Sequence, residues 1–439
     1  MADLIAGSTR GEIEELTLLL AIALATALAA RALRFPYTLA LALVGLLLGA
    51  LAPLPGLGLD PDVTLLIFLP ILLFEGAWNV EVSRLLANWL IVLLLAVPGL
   101  LVSIAIAAAA LRYFAGLPWL IALLIGAIIS PTDPIAVIAL MRKLGLSARL
   151  RTIIEGESLF NDGMGAAMFS ITLNLVAMSL APGFVGHTSG AVLSEVLAAA
   201  WLFTGGILIG AVAGWLASRL LRLIEDPLIE TVITFIVAYG VYLLTDLARA
   251  SGILAVVVAG LIVGSYGRRV GISSSAHETV NTVWEFLSYL ATSLLFLLLG
   301  IQLSRITPSA FAVIAWATAG VFAGRAALVY GAVALQNAIA RALVRRRAHL
   351  PARGRPLSLP NSWRPILLLS GLRGALSIAL ALSLPASTPH LPEIQDAVYG
   401  VTLVTLLGQG IALRFLLPRW PAAQLGVAPR EPHTASAPD

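Results

Sequence analysis

Apolar positions in this chain do not recur at the spacing of a single helix face. They come in runs broken by short clusters of charge, proline and glycine. The runs are about 15 to 28 residues long, the length an α-helix needs to cross a hydrocarbon core about 30 Å thick. Thirteen candidate helices follow, beginning near Leu16, Tyr37, Val63, Trp89, Pro118, Thr152, Ala198, Leu228, Ile253, Val283, Phe311, Pro365 and Val398. The predicted fold class is an all-α polytopic membrane protein with 13 transmembrane helices. Ala27-Leu28-Ala29 resembles a signal-peptide cleavage site, but Asp3, Glu12, Glu14 and Glu15 outnumber Arg10 before it, where a signal peptide carries positive charge. The first run is therefore kept as a helix. The longest polar stretch, Arg341 to Arg364, is basic and contains proline, and reads as a loop. The tail after Pro418 is rich in proline and alanine and reads as disordered.

Composition agrees with this pattern. Hydrophobic residues make up 59% of the chain and charged residues only 11%, against roughly a quarter charged in soluble domains. The isoelectric point near 9.7 does not imply nucleic acid, because the basic residues sit in short loops, where they set topology. Alternate loops and the tail hold 21 of the 27 Lys and Arg residues, and the opposite set with the N-terminus holds four. By the positive-inside rule the N-terminus is outside and the C-terminus cytoplasmic, in a multi-pass protein of the cell (inner) membrane. With no cysteine, disulfides and thiolate chemistry are excluded. The five histidines are scattered in loops, and no P-loop appears, so neither a histidine metal centre nor ATP-driven transport is expected.

Ionisable residues within a membrane are costly, and each is a candidate functional group with a structural ion pair as the alternative. Four lie deep. Glu75 is nine residues before Arg84, Asp133 nine before Arg142, Asp162 eleven past Arg151 and Arg373 nine past Arg364. At 1.5 Å per residue all four sit about 13 to 17 Å from those basic anchors, near the midplane. Glu157 lies nearer the cytoplasm, and Glu230, Glu285 and Asp246 are predicted to be interfacial. Ser130-Pro131-Thr132-Asp133-Pro134 cannot remain an intact helix, since two prolines three apart free backbone carbonyls. Such a break is tolerated only where protein or a watery cavity satisfies it. The freed carbonyls, Thr132 and Asp133 offer hard oxygen ligands for an alkali cation, and half-helix ends add their dipoles. The alternative is a plain proline kink. Gly371-Leu372-Arg373-Gly374 marks a second break, in the twelfth run. If runs one to six and eight to thirteen are inverted repeats joined by a linker helix, the discontinuous helices 5 and 12 correspond, and such pairs mark transporter binding sites.

In the sixth run, Ser158 and Asp162 are four apart, as are Glu157 and Asn161, so each pair shares a face. Asp162 is the group predicted to bind either a proton or a metal cation. Glu157 is expected to pair with Arg373, the alternative being that Arg373 neutralises Asp133 or Asp162.

At these residues the chain resembles the sodium/proton antiporters of the NhaP and sodium-hydrogen exchanger family. The resemblance runs through Leu72-Leu73-Phe74-Glu75, Ser130 to Pro134, Glu157 to Asp162, Ser251-Gly252-Ile253-Leu254-Ala255-Val256 and Gly371-Leu372-Arg373-Gly374-Ala375. It implies a homodimer in membrane lipid with a mobile core of helices 4 to 6 (residues 89–180) and 11 to 13 (308–418). Helices 1 to 3 (1–88) and 8 to 10 (227–304) would form the interface, with helix 7 (194–222) as linker and 419–439 as a short tail. It further implies that Asp162 binds the ion, Asn161 orients the site, Thr132 and Ser158 add ligands, Glu75 assists through water, and Glu157 with Arg373 makes a structural salt bridge. Thr292, where many relatives have an amide, and Asp246, where a Glu is usual, are departures that bear on selectivity. No cofactor, nucleic acid or soluble regulatory partner is expected.

The expected activity is electroneutral one-for-one exchange of Na+ (or Li+) for H+, with K+/H+ exchange as the alternative. A cation channel is a rival without a filter motif in the sequence. An intramembrane hydrolase using Asp133 and Asp162 is a second, without a visible Ser-His pair or metal motif.

Overall fold

A computed structural model describes residues 2–33, 35–51, 61–134, 137–138, 140–141, 146–180, 189–268, 274–346, 358–416 and 419. Among them every regular element is helical, as the apolar runs require. The middle of the basic loop and the tail beyond residue 419 lie outside the described residues.

The helices are α1 (Ala2–Ala32), α2 (Tyr37–Leu51), α3 (Pro61–Trp78), the short α4 (Val82–Ala87), α5 (Trp89–Phe114), α6 (Trp119–Ile129) and α7 (Ala148–Ser179). After these come α8 (Ser189–Leu221), α9 (Pro227–Leu247), α10 (Gly252–Gly267), α11 (Ser274–Leu303) and α12 (Phe311–Arg346). The last are α13 (Arg364–Leu369), α14 (Ala375–Leu382) and α15 (Leu391–Leu416). Six contain spans long and apolar enough to cross a membrane (α5, α8, α9, α11, α12 and α15), and five more apolar stretches lie in α1, α2, α3, α6 and α10.

Local sequence sets the element ends. Asp226 caps α9 by accepting from the N–H groups of Leu228 (2.8 Å) and Ile229 (3.1 Å), with Pro227 at the first helical position, where its missing N–H costs nothing. Inside α5, Pro98 is absorbed by a π-turn over Leu95–Gly99 rather than by a break. Where α2 crosses α11, Gly45 and Gly300 let the backbones touch. A Cβ on Gly45 would fall 2.1 Å from the Leu297 carbonyl oxygen, and one on Gly300 2.1 Å from that of Ala42. Small residues at such crossings are how helices pack where water supplies no driving force.

Two apolar clusters result. The larger runs through most of the bundle. The smaller gathers Ile91 and Leu95 of α5, Val137 and Met141, Leu150 and Ile153 of α7, Leu328 and Val333 of α12, Leu359, Trp363 and Ile366 around α13, and Leu413 of α15. Among the described residues it takes none from α1–α3 or α8–α11.

Candidate functional site

Helix α6 stops at Ile129, the chain is non-helical through residues 131–134, and helix resumes at residue 137. Similarly α13 stops at Leu369, residues 371–374 are non-helical, and α14 starts at Ala375. The two breaks lie side by side. The Asp133 N–H donates 2.8 Å to the Leu372 carbonyl. Gly374 makes this approach possible, since a Cβ there would fall 2.1 Å from Cβ and Oδ2 of Asp133.

Backbone groups freed by the breaks find protein partners, as a nonaqueous setting demands. Pro134 has no N–H for the Ser130 carbonyl, and the Arg373 guanidinium donates to it and, at 2.8 Å, to the Pro131 carbonyl. Thr132 N–H turns to Asn161 Oδ1 (3.3 Å), and the Thr132 carbonyl accepts from Ser158 Oγ (2.6 Å). Ser377 Oγ donates 2.7 Å to the Ile128 carbonyl. At the second break, Arg325 Nη2 donates 2.8 Å to the Leu367 carbonyl, Gln409 Nε2 donates 3.4 Å to that of Leu368, and Arg373 N–H donates 3.3 Å to Thr405 Oγ1. The carbonyls at 130–132, expected from the sequence to stand ready for a cation, thus already accept hydrogen bonds from Arg373 and Ser158.

The expected Glu157–Arg373 salt bridge is corrected. Glu157 pairs through both oxygens with Arg325, Nη1 to Oε1 at 2.5 Å and Nη2 to Oε2 at 2.9 Å, with both side chains buried. Arg373 is held instead by the carbonyls of the first break. Arg325, sixteen residues before the basic residue Arg341, or about 24 Å along a helix, is not among the deep groups named from the sequence. It lies in α12, whose 36 residues extend about 54 Å at the same rise, far more than the hydrocarbon core. The usable signal was its isolation, since Arg325 is the only charge between Phe311 and Ala340. Glu230, expected near a span end, lies in the first turn of α9 and is fully buried in the protein.

Asn161 ties the pair to the break, its Nδ2 donating to Glu157 Oε1 and Thr132 Oγ1, both at 2.9 Å. Glu75 of α3 accepts from Asn79 Nδ2 at 2.8 Å and also meets the Ser288 hydroxyl of α11. Asp162 differs from these. It is only partly buried, and among the described residues no hydrogen bond or ion pair reaches it. Asp133, Glu157 and Arg373 lie within electrostatic range of its carboxylate.

A family model described as the sodium/hydrogen exchanger, transmembrane, matches residues 18–419. The chain belongs to this family. Among curated relatives of this exchanger-family chain, the Na(+)/H(+) antiporter ApNhaP of Aphanothece halophytica is 37% identical, over 88% of this chain and 69% of its own. The Na(+)/H(+) antiporter NhaP of Pseudomonas aeruginosa is 36% identical over 83% and 82%. The solved structure of the sodium proton antiporter MjNhaP1 from Methanocaldococcus jannaschii superposes with a TM-score of 0.68 at 21% identity, covering 94% of this chain and 98% of that one. At that identity it shows the shared fold. The chain is a multi-pass membrane protein of a transporter family.

Proposed function

We propose that the protein is a secondary antiporter exchanging Na+ (or Li+) for H+ across the cell membrane, with Asp162 carrying either ion. One observation carries the assignment. Among the described residues, Glu75, Asp133 and Glu157 each have a hydrogen-bond or ion-pair partner, and Asp162 has none. A carboxylate committed to an arginine or an amide cannot give up its partner each turnover without stranding it, whereas Asp162 can take up either cation and release it. Ser158, one helical turn from Asp162, and Thr132, in the break, supply hard-oxygen groups for a partly dehydrated Na+, and they are tied together by the Ser158 hydroxyl on the Thr132 carbonyl, with Asn161 holding Thr132.

On this reading α7 and the α13–α14 pair join the eleven apolar stretches to make thirteen crossings, arranged as two inverted six-helix repeats about a linker in α8. The smaller apolar cluster supports a core made of residues 89–180 and 308–418, moving against the remaining helices. The protein works as a homodimer, with its N-terminus outside and C-terminus cytoplasmic. The experiment is ion exchange in proteoliposomes containing a trapped pH dye, adding Na+, Li+ and K+ in turn. Asp162→Asn should abolish cation-driven proton flux in a protein that still folds. Flux with K+ alone makes the protein a K+/H+ antiporter, and cation flux without proton countermovement makes it a channel.

A further inference from the structure

We propose that Asn88, Arg149 and Asn337 are positioning residues of the transport cycle, pinning the corner between α4 and α5 to the segment entering α13 so that both broken helices move as one body. This rests on the exchange reading above, in which the crossing is displaced relative to α3.

The path from α3, which carries Glu75, to α5 passes through α4 alone. A displacement of the crossing relative to α3 must be absorbed there, as hinges absorb domain motion at element ends. Asn88 is the corner itself, ending α4 and starting α5, with φ −119° and ψ 15°. It is buried, and its side chain is bonded on both sides, Nδ2 donating to the Arg84 carbonyl (3.0 Å) and Oδ1 accepting from Arg149 Nε (2.8 Å).

Arg149, in the first turn of α7, also donates 3.2 Å from Nη1 to the Ser358 carbonyl, and its guanidinium lies 5.8 Å from the Trp363 ring centroid. The next residue is held from α12. Leu359 N–H donates to Asn337 Oδ1 at 2.7 Å, and Asn337 Nδ2 donates to the Leu359 carbonyl at 3.0 Å, so the amide pairs with this backbone as a neighbouring strand would. Leu359 and Trp363 then bury in the cluster confined to the crossing's own helices.

The clamp therefore joins α5 and α7 from one half of the chain to α12 and α13 from the other. Such a tie is needed because Asp133 N–H bonds the Leu372 carbonyl and Arg373 holds the opposite break. If one broken helix lagged behind the other, those bonds would tear at the ion site.

The test uses the full protein in proteoliposomes with Asn337→Ala, Asn337→Asp and Arg149→Gln. Turnover should fall about fivefold or more in Asn337→Ala and Arg149→Gln while the apparent KM for Na+ stays within about twofold, because motion and not ion contact is altered. Asn337→Asp keeps the acceptor for Leu359 N–H and should fall between. Hydrogen–deuterium exchange should accelerate at residues 82–88 and 358–359 in the same variants. Turnover equal to the parent's, a raised KM at retained turnover, or unchanged deuterium exchange overturns the clamp. Absence of flux in the unsubstituted protein sinks the exchange reading instead, and deuterium exchange then still decides the clamp.

Discussion

Arg325 and Arg373 bear the same charge at the same crossing yet serve different groups. Arg325 neutralises a carboxylate, and Arg373 donates to the Ser130 and Pro131 carbonyls at the first break, the former having lost its helical donor at Pro134. Their substitutions should therefore differ in kind. Glu157→Gln or Arg325→Gln alone strands a buried charge, at a cost of about 3 to 5 kcal/mol, and the double substitution should cost less than the two together. Arg373→Gln leaves the Ser130 and Pro131 carbonyls short of a donor and should not be rescued by Glu157→Gln. Melting temperatures in detergent across these variants are the measurement, and strictly additive losses for Glu157 and Arg325 would contradict the pairing. The carboxylates were legible in the sequence by type and depth, because a charge in an apolar run stands out. Which arginine meets Glu157 was not, since the partners are 168 residues apart and the choice depends on how α12 rotates and how far it extends.

At the scale of elements, both breaks were readable because proline and glycine act locally, through a missing N–H or a missing Cβ. That the freed groups would be satisfied by each other's helix was not readable, since the crossing joins segments some 240 residues apart. Gly374 is where the crossing is tightest. Gly374→Ala drives a methyl into Asp133 and should separate the breaks, giving a protein that inserts but has lost most exchange activity, as flux per folded protein would report. Ser377→Ala is milder. It removes the donor to the buried Ile128 carbonyl and should cost about 1 to 3 kcal/mol of stability while leaving the ion site assembled. A Ser377→Ala protein melting like its parent would mean that the Ile128 carbonyl finds another donor.

For the whole molecule, the proposed exchange ties the stoichiometry to the charges at the crossing. Asp133, Asp162 and Glu157 bring three negative charges, and Arg325 and Arg373 bring two positive ones. These five groups therefore leave a single uncompensated negative charge at the crossing when Asp162 is bare. On the proposed reading one Na+ or one proton cancels it, so both loaded forms carry the same charge across, while the empty form keeps a bare carboxylate in a poorly solvated place and returns slowly. Sodium and protons then compete for one charge, and the apparent KM for Na+ should rise as pH falls on the side where Na+ binds. In the proposed cycle Glu75, on α3, stays with the helices outside the moving core and adds nothing to the transferred charge. If a net charge did move, it would feel about 2.3 kcal/mol for each 100 mV across the membrane. A potassium diffusion potential set with valinomycin and applied in both polarities should therefore leave the rate and endpoint of sodium-driven proton flux unchanged. A polarity-dependent endpoint would mean that a second carboxylate titrates during the cycle. Asp133 would be the first to test, because it travels with the crossing and lies within electrostatic range of both Asp162 and Glu75.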